Sequence, residues 1–196
     1  MSRILVLYAS HYGQTRTIAE HIAGRLGGQG HEVELADAQV GIRSTPPPED
    51  YDAVVIGSRV EMGRHATDIV AYLRMHLEML REMPTAFFSV SMAAAKPSAG
   101  PDPNGYTSTL FEELRWHPRC VAAIAGGLPY RKYGWLMRFV MKRISRSAGH
   151  TTDTSRNHEF TDWRRVDAFA DELAALVRRE EQLSSDSQPV LPAQRT

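Results

Sequence analysis

The chain is 196 residues long and 42% hydrophobic, with 23 basic and 23 acidic side chains and a formal net charge of zero. That length and apolar content suit one domain with a full core. A neutral chain carries no global field for nucleic acid, so no nucleic-acid partner is expected. Its single cysteine, Cys120, lies in the apolar run Cys120-Val121-Ala122-Ala123-Ile124, which reads as a buried strand in a reducing compartment rather than a disulfide framework or a catalytic thiol.

Arg3-Ile4-Leu5-Val6-Leu7-Tyr8 reads as a first strand. No leader pattern precedes it and no apolar run is long enough to span a bilayer, so the protein is expected in the cytoplasm, peripheral on the inner membrane. The strand runs into Ala9-Ser10-His11-Tyr12-Gly13-Gln14-Thr15 and then a helical pattern from Arg16 to about Gly27. A strand that delivers a small-residue turn to a helix N-terminus builds an anion site, because the first backbone N–H groups lack helical partners and sit at the positive end of the dipole. Ser10 and Thr15 add hydroxyl donors, and Gly13 permits positive φ or close backbone approach. The turn has neither the lysine of a Walker A loop nor G-x-G-x-x-G, so a terminal phosphate monoester fits better than a nucleoside triphosphate or a dinucleotide. Its S-x-x-G-x-T pattern resembles the FMN-phosphate loop of flavodoxin-like proteins.

Further along, His31–Ala36 alternates as an edge strand, and Gly41–Asp50 reads as a loop around Pro46-Pro47-Pro48. Ala53–Ser58 is a continuous apolar run, as a central parallel strand requires. One helix is expected over Ala66–Glu82, burying Ile69, Leu73, Leu77 and Leu80, followed by a strand at Thr85–Ser91. A Pro/Gly-rich loop from Lys96 to Gly105 precedes a helix from about Tyr106 to Leu114, and Cys120–Ala125 is the fifth strand. The last helix is expected from Asp162 to about Arg179, with Val166, Phe169, Leu173 and Leu176 facing the core, and residues 181–196 read as a disordered tail. Strands alternating with helices imply a doubly wound α/β sheet in the flavodoxin-like order 2-1-3-4-5, one domain over residues 1–180. Ligands of such sheets sit beyond the strands' carboxyl ends, where strand order reverses. There Ser10, His11, Tyr12, Gly13, Gln14 and Thr15 would take the phosphate of FMN, and Ser58, Val60, Gly63, His65, Ser91, Met92 and Ala93 would meet its ring. His11 and His65 are the candidate proton carriers, since histidine titrates near neutrality. A receiver domain shares the strand order but needs carboxylates where Ser10, His11 and Ser58 stand.

After the fifth strand an insertion spans about 130–160, and connections of such length within a domain are usually functional. From 131 to 156 it carries seven basic side chains against one acid, Asp153. As a helix it would put Arg138, Lys142 and Arg146 on one face and spread Trp135, Leu136, Phe139, Val140 and Ile144 over another. That combination suits an anionic membrane surface or an amphiphilic anion.

These segments together resemble the bacterial menaquinone-dependent protoporphyrinogen IX dehydrogenase family, long-chain flavodoxin-like flavoproteins. The resemblance covers Arg3 to about Leu176. It rests on Gly13-Gln14-Thr15-Arg16, Tyr51-Asp52-x-Val54-Val55-Ile56-Gly57, Met83-Pro84-x-Ala86-Phe87, Trp116-x-Pro118-Arg119-Cys120, Tyr130-x-x-Tyr133-x-Trp135-x-x-Arg138-Phe139, Thr152-Asp153-Thr154 and Thr161-Asp162-Trp163. It implies FMN-dependent oxidation of protoporphyrinogen IX with electrons passed to menaquinone or ubiquinone. Tyr130, Arg131, Lys132, Trp135, Arg138, Lys142 and Arg146 would then meet substrate propionates or the membrane. One segment departs: Arg59-Val60-Glu61-Met62-Gly63-Arg64-His65 stands where the family leads one to expect Ser-Ile-Arg-Tyr-Gly-His, which bears on substrate choice. An electron-carrier flavodoxin, an NAD(P)H:quinone oxidoreductase and a non-catalytic interaction domain are the rival functions, and a homo-oligomer is left open.

Overall fold

The computed structural model describes residues 1–95, 102, 105–128 and 158–186. In chain order its elements are β1 (Arg3–Ala9), α1 (Gln14–Gly28), β2 (Glu32–Asp37), β3 (Ala53–Glu61), β4 (Arg64–His65), α2 (Thr67–Met75), α3 (Leu77–Glu82), β5 (Thr85–Ser91), α4 (Tyr106–Leu114), β6 (Cys120–Ala125), β7 (Gly127–Leu128), β8 (His158–Glu159) and α5 (Trp163–Asp186), with 3-10 turns between β2 and β3 and after β5. The main sheet has the order β2-β1-β3-β5-β6, all parallel, and β4 folds back antiparallel on the end of β3. Counting only the long strands, this is the expected 2-1-3-4-5.

Alternation within each central strand sends side chains to two separate cores. Ile4, Val6 and Tyr8 of β1, Val55 of β3 and Phe88 of β5 pack against α1 and α5 through Ile18, Ile22, Val166, Phe169 and Leu173. Leu5, Leu7, Val54, Ile56 and Phe87 face the other way, against Ile69, Leu73, Leu80, Leu110, Phe111 and Trp116. Burying one such side chain stabilises the fold by about 1.5–3 kcal/mol, which is why β1, β3 and β5 read as unbroken apolar runs. β2, at the edge, buries less, and its Leu35 is 37% exposed.

Three elements differ from the pattern expected from periodicity. The helix over 66–82 is two helices, because His76 leaves the helical region at φ −110°, ψ 18° and packs its ring 4.6 Å from that of Tyr72. A six-residue helix leaves most of its carbonyls outside its own ladder, and one of these, Leu80 O, accepts from the buried indole Nε1 of Trp116 at 3.2 Å. The last helix continues past Arg179 to Asp186, so residues 181–186 belong to it rather than to a tail. Residues 59–65 form a β-hairpin rather than an open loop: Val60 pairs with His65 and Glu61 with Arg64. Its two-residue turn, Met62-Gly63, has positive φ at both positions, 51° and 78°, the geometry that matches the twist of hairpin strands. The loop at 96–105 lies outside the described residues except for Asp102 and Gly105. The Asp102 carboxylate accepts from the backbone N–H groups of Thr107 (3.0 Å) and Ser108 (2.7 Å), capping α4. Burial raises its pKa, but those hydrogen bonds outweigh burial and hold it below the ordinary carboxylate value.

Beyond β6 the chain makes a further short pair, β7 with β8, Gly127 opposite Glu159 and Leu128 opposite His158. The insertion residues Tyr130, Arg131, Lys132, Trp135, Arg138, Lys142 and Arg146 lie outside the described residues.

Candidate functional site

A cavity of about 380 Å³ opens at the carboxyl ends of β1, β3, β5 and β6, lined by residues 10–12, 14 and 15, by 59–62, by 90–92 and by Gly126. It sits at the reversal of strand order between β1 and β3, and its volume lies within the range of small-molecule sites.

The floor of one end is the turn between β1 and α1. Gly13 caps the helix with φ 99°, a left-handed conformation that strains other residues. Its N–H donates to Ser10 Oγ at 3.1 Å, and its carbonyl accepts from the Thr17 backbone at 3.0 Å and from Thr17 Oγ1 at 3.2 Å. Ser10 Oγ accepts one bond here and keeps its own proton to donate. The first turn of α1 holds no carboxylate, so nothing there competes with an anion for the helix's positive end. Gln14 Nε2 donates to Thr161 Oγ1 at 2.8 Å, and Thr161 Oγ1 donates to Ala125 O at 2.9 Å, tying the turn to the end of β6 and the approach to α5.

The second wall is the 59–65 hairpin. Arg59 Nε donates to Glu61 Oε2 at 3.0 Å, and Glu61 Oε1 lies 3.1 Å from His11 Nδ1. His11 stacks on Tyr12 with ring centroids 4.3 Å apart and planes 11° from parallel. Arg59 Nη1 is buried without a hydrogen-bond partner among the described residues. Met62, at the hairpin tip, is fully exposed. The third wall is Val90, Ser91 and Met92, where Ser91 Oγ accepts from Ala94 N–H at 3.3 Å.

Of the residues expected to hold FMN, the cavity brings together Ser10, His11, Tyr12, Gln14, Thr15, Val60, Ser91 and Met92, with Gly13 shaping the turn beneath them. Ser58, Gly63, His65 and Ala93 do not line it. Ser58 is fully buried, its Oγ accepting from Ala66 N–H and donating to Arg59 O, both at 3.1 Å, so it anchors the hairpin to α2. Gly63 is in the hairpin turn, against Tyr106. Ala93 stands in the 3-10 turn after β5. His65 points into the core edge-on to Phe87, with centroids 5.3 Å apart. Burial pushes its pKa down to about 4, against weak opposition from Asp102 and the Tyr106 backbone, and its place outside the cavity lining, with that burial, counts against the candidate role of proton carrier. Arg59, Glu61, Met62, Val90 and Gly126 line the cavity but were not among the expected contacts. For the first three a signal existed: a two-residue X-Gly step between short polar-apolar segments marks a hairpin, and a hairpin here turns Arg59–Met62 inward. Cys120 is buried, and burial, reinforced by Glu172, pushes its thiol up to about 11. Among the described residues no group of His, Cys, Asp and Glu could hold a metal ion, and no helix is long and apolar enough to cross a membrane.

The flavodoxin-domain family profile matches residues 5–155, and the chain belongs to that family. A flavodoxin from the domain Archaea superposes with a TM-score of 0.55 at 14% identity, over 90% of this chain and 99% of that one, a likeness of fold. Within the family, the chain belongs with the protoporphyrinogen IX dehydrogenases (quinone). It is 36% identical over 176 residues to the one from Escherichia coli (strain K12), covering 89% of this chain and 96% of that one. It is 31% identical to the one from Leishmania major, covering 89% and 75%.

Proposed function

We propose that this chain is an FMN-dependent dehydrogenase that oxidises protoporphyrinogen IX and passes the electrons to a quinone. The observation that carries the reading is the 36% identity over nearly the whole length of both chains, which extends well past the flavodoxin core into the insertion. The cavity agrees in its donor set. The turn at 10–15 offers hydroxyls and an uncrowded helix N-terminus to a phosphate, and Tyr12, Val60, Met62, Val90 and Met92 offer apolar and aromatic walls to a flat ring. A bound flavin supplies hydride chemistry; the chain supplies orientation, electrostatics and exclusion of side reactions. Arg131 and Lys132, just beyond β7, are proposed to take substrate propionates. Arg138, Lys142 and Arg146 are proposed to dock the protein on an anionic membrane surface where quinone is found, each contributing about 1 kcal/mol.

The test is assay of FMN-loaded protein with protoporphyrinogen IX, anaerobically, with and without a quinone. The proposal expects a yellow protein with one FMN per chain and quinone-dependent porphyrin formation. A protein that takes up no FMN at micromolar concentration, or that is loaded yet inert towards porphyrinogen, defeats it.

A further inference from the structure

On the hairpin wall the structure joins Arg59 to Glu61, and Glu61 in turn to His11. We propose that Arg59, Glu61 and His11 form a proton-linked charge chain on the cavity wall, in which His11 carries the proton that accompanies each hydride exchange and Glu61 positions it. The inference rests on the reading of the cavity as an FMN site.

Glu61 uses both carboxylate oxygens, one on Arg59 Nε and one on His11 Nδ1, so it spans from β3 to the turn after β1. An acceptor facing Nδ1 selects the tautomer with hydrogen there and leaves Nε2 as the base. Stacking on Tyr12 fixes the ring plane. Among the described residues the charged groups facing His11 are Glu61 and, through it, Arg59; Tyr12 and Gln39, which holds the Ser10 N–H, are the neutral neighbours. With His11 neutral, the three side chains sum to zero charge; with His11 protonated, they sum to plus one. Negative charge that a reduced cofactor would bring to the cavity favours the protonated form, by Coulomb attraction across the cavity wall.

The balance is simple. Oxidation removes a hydride and a proton from the substrate, and a quinone becoming a quinol takes up a hydride and a proton. A bound flavin would supply the hydride chemistry, taking a hydride from the substrate and giving it to the quinone. His11 Nε2 accepts the substrate's proton and later supplies the quinone's, so the chain ends each cycle as it began. Arg59 stays charged throughout, and its buried Nη1, without a hydrogen-bond partner among the described residues, is a donor left over for an acceptor in the cavity.

The experiment uses the FMN-loaded full chain with ring ¹⁵N shifts of His11 read at pH 7 in the oxidised and dithionite-reduced protein. The protonated fraction should rise several-fold on reduction, and Glu61→Gln should lose most of that rise while Glu61→Asp keeps part of it. With a soluble quinone, His11→Gln should lower kcat at least tenfold with little change in KM and flatten the pH profile between 6 and 8. His11 protonation that is the same in both redox states, or a His11→Gln variant with wild-type kcat and pH profile, overturns the proposal. A protein that takes up no FMN overturns the cavity reading and this inference together; a loaded protein with redox-insensitive His11 overturns this inference alone.

Discussion

Gly57→Ala tests a close approach between β3 and β5 in the core. Gly57 faces Phe88 across the β3–β5 ladder, and a Cβ at Gly57 would lie 2.1, 2.6 and 2.8 Å from three atoms of the Phe88 ring. Ordinary carbon contacts are about 3.5–4.0 Å, so the ring must move by more than 1 Å. It has nowhere to go: Phe88 is completely buried and meets Phe169 edge-on at 6.0 Å. Overpacking of a tight core costs about 1–3 kcal/mol, and the size of this overlap places the substitution at the upper end. For a domain of this length about 3 kcal/mol lowers Tm by roughly 6–12 °C. Urea unfolding of the FMN-free protein, alongside thermal melts, measures it. Phe88→Ala alone should cost about 3–5 kcal/mol through its cavity. The double variant should cost less than the two singles together by about 1–3 kcal/mol, because the new methyl occupies space the ring has left. Strict additivity, or a Gly57→Ala protein of wild-type stability, would refute the packing argument.

The other predictions concern the turn, a buried histidine and the thiol. Gly13→Ala forces a side chain into φ 99° and should cost about 1–2 kcal/mol, with FMN affinity falling alongside stability; fluorescence titration with FMN and urea melts measure the two effects. His65 stays neutral in the fold down to about pH 4, while in the unfolded chain it titrates near 6.5, so the unfolded state binds more protons between those values. Stability is thus present above about pH 6.5 and is lost as pH falls towards 4: about 2 kcal/mol between pH 7.5 and 5, a loss that His65→Leu should largely remove in urea melts at the two pH values. Cys120 should resist thiol reagents at pH 8 in the native protein and react only on unfolding, since burial holds it as a thiol; rapid native labelling would contradict its placement.

Long apolar runs announce themselves because only buried central strands need them, and β1, β3, β5 and β6 were visible in the sequence for that reason. So was the phosphate turn, where Ser10, Gly13 and Thr15 are chemically constrained. What periodicity could not show was where a regular pattern stops. The stripe Ile69, Leu73, Leu77, Leu80 continues through His76 on a helical wheel, but the chain breaks there, and no residue type at His76 signals it. His65 resembles a site residue because histidine is the usual proton carrier; the Met62-Gly63 step marks the hairpin's reversal locally, but the packing of His65 against Phe87 of β5 is a tertiary fact. The same reversal brought Arg59 and Glu61 to the cavity.

The β7–β8 pair has a consequence for how this chain can be rebuilt. Leu128 and His158 stand directly opposite one another, and opposed residues in an antiparallel ladder have Cα atoms about 4.5–5.5 Å apart. Residues 128 and 158 thus stand no farther apart than the ends of a hairpin turn, and lengthening a segment that joins them adds only a slowly growing loop entropy. An Asn-Gly step joining Leu128 to His158 would close the same ladder as an ordinary β-hairpin. Among the described residues this ladder is a port at the cavity's rim beside Gly126, where segments of different length can be joined to the same flavodoxin-domain core.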